Sequence, residues 1–215
     1  MNTPNKITIG RIILVPVFMV LLYCDLPYWA LVVYIIACLS DFVDGKIARK
    51  YNLVTDFGKF MDPLADKMLV LSAMCYFIEV GLMPGWVVAV VLLREFGVSG
   101  LRLLAVEQGI VIAAAWSGKI KTGVTMVALG ILIIATQPWF PAPDVIAVIC
   151  WVLILATTLY SGIEYFVKNI GVFKSGGLTV LAVFLAIVVL AAVALIAFAV
   201  KTVIHDAKTA KSPQE

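Results

Sequence analysis

Charged residues are scarce in this sequence, and histidine is nearly absent. Charged residues make up 13% of the 215 positions and hydrophobic residues 63%, and the mean hydropathy is +1.10. This composition excludes an ordinary soluble domain and is typical of a helical membrane protein. The single histidine, His205, stands in a polar C-terminal segment, so catalysis or metal binding by histidine is close to excluded.

Cysteines are few and dispersed, and none of their spacings is typical of metal ligands. The first apolar run is followed by Cys-Asp-Leu-Pro rather than by the small residues of a cleavage site, so we expect no cleavable signal peptide. The net charge of +3 is weak evidence for any partner, and we expect no nucleic acid.

Long apolar runs follow one another along nearly the whole chain. A helix needs about 20 residues to cross a bilayer, so these runs predict an all-α, polytopic membrane helical bundle. We expect a six-span catalytic core in residues 1–170, with spans near 7–23, 28–49, 59–80 and 86–107, a fifth ending near 136 and a sixth near 166. An additional membrane helix is expected within 171–200, as a lipid-facing anchor or packing helix, and 201–215 as a disordered polar tail.

Basic residues divide unevenly between the two sides of this bundle. With the N-terminus inside, thirteen of the sixteen Lys and Arg fall on the inner side or in helix segments leading to it. The three outer turns of the core contain none, which is a positive-inside pattern. We therefore expect a multi-pass protein of the cell's inner, cytoplasmic membrane, with its polar stretches facing the cytoplasm. The three lysines after the seventh span depart from this pattern.

Four of the thirteen acidic residues stand together where the second and third spans meet. Asp41, Asp44, Asp62 and Asp66 fall within 26 residues. The apolar run that precedes Asp41 is too short to span alone, so the helix must continue through Asp44 toward Arg49. The first two aspartates are therefore expected at the inner edge of the hydrocarbon, where carboxylates are costly and call for a function. Pro63 either begins the third helix, capped by Asp62, or lies inside a helix already started.

Helical spacing predicts that the four carboxylates can converge. Residues three or four apart share a helix face, so each pair of aspartates points one way, and a short connector makes the two helices neighbours. Four anions would repel one another, and divalent cations remove that repulsion. Carboxylate oxygens suit Mg²⁺, Mn²⁺ or Ca²⁺ rather than zinc. The alternative is that these aspartates only pair with nearby basic residues, namely Lys46, Arg49, Lys59 and Lys67.

The stretch resembles the signature of the CDP-alcohol phosphotransferase family. That signature is D-x2-D-G-x2-A-R, eight further residues, and G-x3-D-x3-D, and every fixed position is matched, by Asp41, Asp44, Gly45, Ala48, Arg49, Gly58, Asp62 and Asp66. The resemblance implies an enzyme that transfers a CDP-linked phosphoryl group to an acceptor alcohol and releases CMP. It implies two cations, Mg²⁺ or Mn²⁺, held by the four aspartates, with Asp66 also as general base. Asp41, Gly45, Ala48, Arg49 and Gly58 would border the nucleotide, and a homodimer is implied.

Basic residues outside the signature bear on the acceptor. Asn5, Thr8 and Arg11 follow at steps of three on the first helix, and Arg94 and Arg102 lie eight apart on the fourth. Lys119 and Lys121 flank the start of the fifth. An arginine inside a span is expensive unless it faces a polar cavity, so several cations together favour a phosphorylated, dianionic acceptor. The alternatives are snorkelling for Arg102 and the lysines, and an ion pair with Glu95 for Arg94, although adjacent residues point to different helix faces.

Two short segments resemble the phosphatidylglycerophosphate synthase branch of that family, Leu-Arg-Glu-Phe-Gly-Val-Ser-Gly-Leu-Arg from Leu93 and Ser-Gly-Lys-Ile-Lys-Thr from Ser117. The branch implies CDP-diacylglycerol as donor and sn-glycerol 3-phosphate as acceptor, on the route to phosphatidylglycerol. Arg94, Arg102, Lys119 and Lys121 would then bind the acceptor phosphate. The alternatives are another acceptor (inositol phosphate, serine or phosphatidylglycerol) or, in a different class, a divalent-cation transporter. Transport sites are usually near the midplane rather than at one edge.

Overall fold

A computed structural model of the chain describes residues 3–50, 56–110, 112 and 115–172, together with five isolated positions between 179 and 193. For residues 3–6, 41–50, 56–60, 62, 63 and 66 the description covers the backbone alone. These parts of the chain contain no strand and form six helices: α1 (Thr3–Tyr23), α2 (Pro27–Lys50), α3 (Asp56–Glu79), α4 (Gly85–Glu107), α5 (Trp116–Ala135) and α6 (Pro143–Lys168). The all-helical prediction is confirmed. Apart from the five isolated positions, the predicted seventh span and tail lie outside the described residues.

The boundaries of α2 and α3 show where the second helix ends and whether Pro63 begins the third. α2 runs unbroken to Lys50, so the second helix does continue through Asp41 and Asp44. α3 begins at Asp56, well before Pro63, so that proline lies inside a helix already started. α5 and α6 are each long and apolar enough to cross a membrane, and shorter apolar helices cover Ile7–Tyr23 and Pro27–Ser40.

The chain forms two compact units. The first contains Met1–Val88 and Gly118–Thr157, and the second Ala89–Ser117 and Thr158–Glu215. In the first unit α1 packs against α2 and α3, and α2 against α3. α5 contacts α2, because the Tyr34 hydroxyl donates to the Met126 carbonyl at 3.2 Å and Leu31 Cδ1 lies 3.8 Å from where a Cβ at Gly130 would stand. In the second unit, residues of α4 and α6 share a core of Val98, Leu101, Ala105, Tyr165, Phe166 and Val172.

Three turns meet at one end of the first unit, which we call the cavity end. They are residues 24–26, 80–84 and 136–142, and all three contribute to the lining of a single cavity. None contains Lys or Arg. The charge pattern predicts these turns on one side of a membrane, and in the structure they lie together around this cavity. Because α2 leaves this end and α3 returns to it, the aspartate-bearing parts of both helices lie at the other end.

Candidate active site

The packing of α1 on α2 shows which residues of the two helices lie at the same height along the helix axes, which we call the same level. The rings of Phe18 and Tyr34 lie 5.7 Å apart, and the two helices run in opposite directions. Counting residue for residue from that contact places Arg11 level with Asp41 and Thr8 level with Asp44. Thr8 and Arg11 are both buried. α1 therefore carries its polar face to the part of α2 that holds the first aspartate pair.

The packing of α1 on α3 gives the same result for the second pair. The Tyr76 hydroxyl donates to the Leu22 carbonyl at 3.4 Å, and these helices run in the same direction. Counting back from that contact places Arg11 level with residue 65, next to Asp66, and Thr8 level with Asp62. Two independent contacts thus bring Arg11 and Thr8 to the level of all four aspartates.

Burial of Arg11 has an electrostatic consequence. Only 1% of this side chain is exposed, and a guanidinium cannot lose its charge in a protein. A buried cation is tolerated where anions or hydrogen-bond acceptors compensate it. The backbone segments that carry Asp41 and Asp66 lie at its level, so negative charge is available there. Thr8 and Arg11 are thereby brought to the predicted site, and Asn5, one turn before Thr8, belongs to the same helix.

Lys121 reaches the same end of the unit from α5. Met126 lies beside Tyr34 and Gly130 beside Leu31, so α5 runs antiparallel to α2. Counting five residues back from Met126 places Lys121 near the level of residue 39, within a turn of Asp41. Lys121 is 6% exposed, whereas Lys119 is exposed. Residues two apart on a helix point about 200° apart, so the structure separates two lysines that the sequence grouped.

The aspartates and the nucleotide-binding residues are placed by their helices alone. Asp41, Asp44, Gly45, Ala48 and Arg49 belong to the last turns of α2, and Gly58, Asp62 and Asp66 to the first turns of α3. Asp41 and Asp66 each stand 14 residues from a cavity-lining residue, Pro27 and Val80 respectively. That is about 21 Å along a helix. Among the side chains that the structure describes, no three His, Cys, Asp or Glu cluster as a metal site would require.

Arg94 lies in the second unit and is paired within it. Its Nη1 donates to Glu95 Oε1 at 2.9 Å, and both side chains are largely buried. The ion pair with Glu95, which the sequence offered as the alternative for Arg94, is therefore present. It forms although the two residues are adjacent, because both side chains are long enough to meet beside the helix. The pair compensates the Arg94 charge and leaves its other guanidinium nitrogens for further contacts.

Arg102 is held by a tyrosine that the sequence reasoning missed. Its Nε donates to the Tyr165 hydroxyl at 2.6 Å, and the guanidinium carbon lies 5.3 Å from the centre of the same ring. Tyr165 is buried, whereas Arg102 is exposed. The available signal was a tyrosine near the polar end of an apolar helix, since a buried tyrosine hydroxyl usually finds a partner. Tyr165 therefore holds the guanidinium of an otherwise exposed arginine through its Nε.

Comparisons with known proteins agree with the signature. The CDP-alcohol phosphatidyltransferase family profile matches residues 1–160. A Bacillus subtilis (strain 168) protein named CDP-diacylglycerol--glycerol-3-phosphate 3-phosphatidyltransferase is 42% identical over 187 residues, which cover 78% of this chain and 95% of that protein. A Mycobacterium tuberculosis (strain H37Rv) protein named probable phosphatidylglycerophosphate synthase is 37% identical over 172 residues, covering 76% of this chain and 79% of that protein. A Shigella flexneri relative with the same name as the Bacillus protein is 34% identical over 172 residues, covering 76% and 92%.

Proposed function

Because the chain belongs to the CDP-alcohol phosphatidyltransferase family, we propose that it transfers the phosphatidyl group of CDP-diacylglycerol to sn-glycerol 3-phosphate. The products are phosphatidylglycerophosphate and CMP. The observation that carries this assignment is the 42% identity to a Bacillus subtilis protein of that named activity, over 95% of its length. The complete aspartate signature supports the donor chemistry, and the buried Lys121 supports an acceptor that carries phosphate.

The four aspartates are the ligands we propose for two divalent cations, Mg²⁺ or Mn²⁺. Enzymes of this family generally depend on divalent cations. The donor set fits such ions because all four groups are carboxylates, which hard cations prefer. It also fits because the helix segments that carry the two aspartate pairs lie at one level along the bundle, so that the four carboxylates can converge. Bound cations would neutralise the charge of the diphosphate and of the departing CMP.

We assign the residues around the four aspartates to two roles, nucleotide binding and proton transfer. We assign Asp41, Gly45, Ala48, Arg49 and Gly58 to the border of the cytidine nucleotide, where small residues let a ligand approach the helix backbone. Asp66 is the proposed general base, which takes the proton of the acceptor hydroxyl as that oxygen attacks the β-phosphorus of the donor. Arg11, level with both Asp41 and Asp66, balances the carboxylates before the substrates bind.

The acceptor phosphate is assigned to Arg94, Arg102 and Lys121, with Lys119, which is exposed on another face of α5, as a weaker outer contact. Arg102 is supported most directly, because Tyr165 holds its Nε and leaves the Nη groups for a phosphate. Lys121 is supported by its burial at the aspartate level. Arg94 is already paired with the Glu95 carboxylate. Mutation of Glu95 would therefore separate the contribution of Arg94 to phosphate binding from its role in the ion pair.

Two apolar helices and the family assignment indicate association with a membrane. We propose that the protein is multi-pass in the inner membrane, with the aspartate end facing the cytoplasm, and that it acts as a homodimer. The supply of CDP-diacylglycerol within the bilayer and of glycerol 3-phosphate in the cytoplasm requires this orientation. The unequal distribution of Lys and Arg supports it.

An acceptor panel tests the function. The purified chain, given CDP-diacylglycerol and Mg²⁺, should release CMP with glycerol 3-phosphate and much less with inositol phosphate, serine or phosphatidylglycerol. Release with another alcohol but not with glycerol 3-phosphate would refute the acceptor assignment. Asp66→Asn should abolish transfer while metal-dependent binding of CDP-diacylglycerol persists, and near-normal turnover in that variant would remove Asp66 as the base. Metal flux into proteoliposomes without CMP release would favour a transporter instead.

A further inference from the structure

The cavity at the cavity end of the first unit is not part of the site proposed above. Its volume is about 370 Å³, within the range of about 300–1,000 Å³ that is usual for small-ligand sites. Its polar lining is contributed by Asp25, Tyr76, Thr136 and Gln137, and leucines, valine and prolines form much of the rest. It lies about 21 Å or more along α2 and α3 from the aspartates. A ligand in it would therefore not touch the reacting groups.

The charge in and around this cavity has one sign. Asp25 lines it, and the residues that line it include no Lys, Arg or His. Glu79 stands nearby and accepts a hydrogen bond from the Tyr23 hydroxyl. The ring of Tyr23 lies 5.5 Å from the ring of Tyr76, which lines the cavity, so the Glu79 carboxylate is close to it. The three turns that frame the cavity carry no basic residue, so a positively charged ligand is the one that this lining favours.

Exposed aromatic residues mark the depth of the cavity relative to a membrane. Tyr28 and Trp29 follow Pro27, and Trp139 follows Pro138, and all three are exposed. The Trp139 indole N–H donates to the Tyr28 hydroxyl at 2.9 Å, which holds the two rings together. Tyrosine and tryptophan concentrate at the level of lipid headgroups. The cavity therefore lies where headgroups are present at high concentration.

We propose that this cavity binds the primary ammonium group of a phospholipid headgroup. A primary ammonium has three donors, and each of the four polar lining residues carries an acceptor oxygen, the strongest being the Asp25 carboxylate beside the Tyr76 hydroxyl and the Gln137 amide. The Tyr76 hydroxyl already donates its proton to Leu22, so its oxygen is left as an acceptor. An anionic headgroup would be repelled by Asp25. A quaternary ammonium has no N–H to donate to these acceptors and depends instead on an aromatic cage.

Binding to the purified full-length chain in detergent tests the proposal. The probes are dioctanoyl phosphatidylethanolamine, the matching phosphatidylcholine and phosphatidylglycerol, and soluble ethanolamine. We expect phosphatidylethanolamine to bind about tenfold or more tightly than the other two lipids, as a charge-assisted hydrogen bond would give. Equal affinity for phosphatidylcholine or phosphatidylglycerol would overturn the proposal. Ethanolamine binding as tightly as its lipid would support the ammonium site and identify a free amine as its ligand.

A matched pair of variants locates the site. Asp25→Asn should abolish the preference for phosphatidylethanolamine, while Asp144→Asn, which removes a carboxylate that follows the lining residue Pro143 but does not itself line the cavity, should keep it. Asp25 has a positive φ of 54°, and asparagine accepts that conformation readily, so the backbone is preserved. An unchanged preference in Asp25→Asn would refute the assignment. The assay needs neither CDP-diacylglycerol nor Mg²⁺, so its result is independent of whether the proposed transfer reaction is right.

Discussion

Arg11 shows how one residue in the first helix bears on a site formed by the next two. Its side chain is buried within a unit where α1 contacts both α2 and α3. The two helix registers place it level with Asp41 and Asp66. A permanent cation at that level lowers the repulsion among the carboxylates, and it also weakens the attraction of the same carboxylates for divalent cations. Its removal should therefore affect metal dependence and catalysis in opposite directions.

We predict that Arg11→Gln lowers kcat about tenfold or more and also lowers the Mg²⁺ concentration needed for half-maximal activity. The first effect follows from the loss of a buried charge that compensates the carboxylates, and a tenfold loss of rate corresponds to about 1.4 kcal/mol. The second follows from the more negative field around the aspartates. Arg11→Lys keeps the charge and should keep the Mg²⁺ requirement. A purely structural arginine would instead lower thermal stability in both variants and leave the half-saturating Mg²⁺ concentration unchanged.

Lys119 and Lys121 form a natural comparison on one helix turn. We predict that Lys121→Gln raises the KM for glycerol 3-phosphate about tenfold or more, because a buried charge-assisted contact is worth roughly 1.5–3 kcal/mol. Lys119→Gln should change it no more than about twofold, since exposed charges contribute about 0–1 kcal/mol. Steady-state kinetics with each substrate varied in turn measure both effects. Equal effects of the two substitutions would mean that burial does not select between the lysines.

Tyr165 is expected to act through Arg102 rather than on a substrate. Tyr165→Phe removes the hydroxyl that accepts from Arg102 Nε and keeps the ring beneath the guanidinium. We predict that the KM for glycerol 3-phosphate rises about three- to tenfold, the cost of one hydrogen bond, while the KM for CDP-diacylglycerol stays constant. Tyr160→Phe, at an exposed position of the same helix, is the control. A parallel rise in both KM values would indicate a general folding defect.

Within the second unit, α4 and α6 approach each other closely at Gly97, and we expect the stability of the unit to be sensitive to this contact. A Cβ added at Gly97 would lie 3.2 Å from Cζ of Phe166. Phe166 is buried in the core that also contains Val98, Leu101 and Tyr165, so its ring cannot move away freely. Gly100, one turn along the same helix, has no described atom within 4 Å of such a Cβ. Both glycines lie inside α4, but only Gly97 is in close contact with a side chain of α6.

We predict that Gly97→Ala destabilises the protein by about 1–3 kcal/mol, which is the usual cost of overpacking. Gly100→Ala should be neutral or stabilising by up to about 1 kcal/mol, because alanine is the better helix residue. Thermal unfolding of the detergent-solubilised protein, followed by circular dichroism, compares them. A destabilised Gly100→Ala beside an unaffected Gly97→Ala would contradict the packing described for this unit.

The sequence predicted the helices better than the contacts between them. The length of α2 could be predicted because a run ending at Leu39 is too short to span, which forces the helix onward through Asp41. The start of α3 could not, because Pro63 suits both a first turn and a helix interior, and only tertiary packing selects between them. The Arg94–Glu95 pair was predicted only as an alternative, because adjacent residues point to different helix faces. Face geometry describes where Cβ atoms point, and two long side chains can still meet.

Across the first unit, the distribution of basic residues in the sequence and the arrangement of the helices show the same difference between the two ends. The turns that contain no Lys or Arg gather at the cavity end of the first unit, with exposed aromatic residues beside them. Arg11, Lys121 and the aspartate-bearing segments lie at the opposite end. The helix rise from the cavity to Asp44 or Asp62 is about 25–27 Å, close to the roughly 30 Å of a bilayer's hydrocarbon core. This unit therefore has the length and the charge asymmetry of a spanning bundle.

Sidedness follows from that asymmetry and can be measured with native groups. Cys24 is exposed at the cavity end, and Lys119 is exposed near the start of α5, at the opposite end. In a background where Cys38, Cys75 and Cys150 are replaced by alanine, we predict that a membrane-impermeant maleimide modifies Cys24 in intact spheroplasts. In the same background with Cys24→Ala and Lys119→Cys, modification should require permeabilised membranes. The reverse pattern would invert the orientation and place the aspartate end outside, away from cytoplasmic glycerol 3-phosphate, which would contradict the proposed reaction as well as the topology.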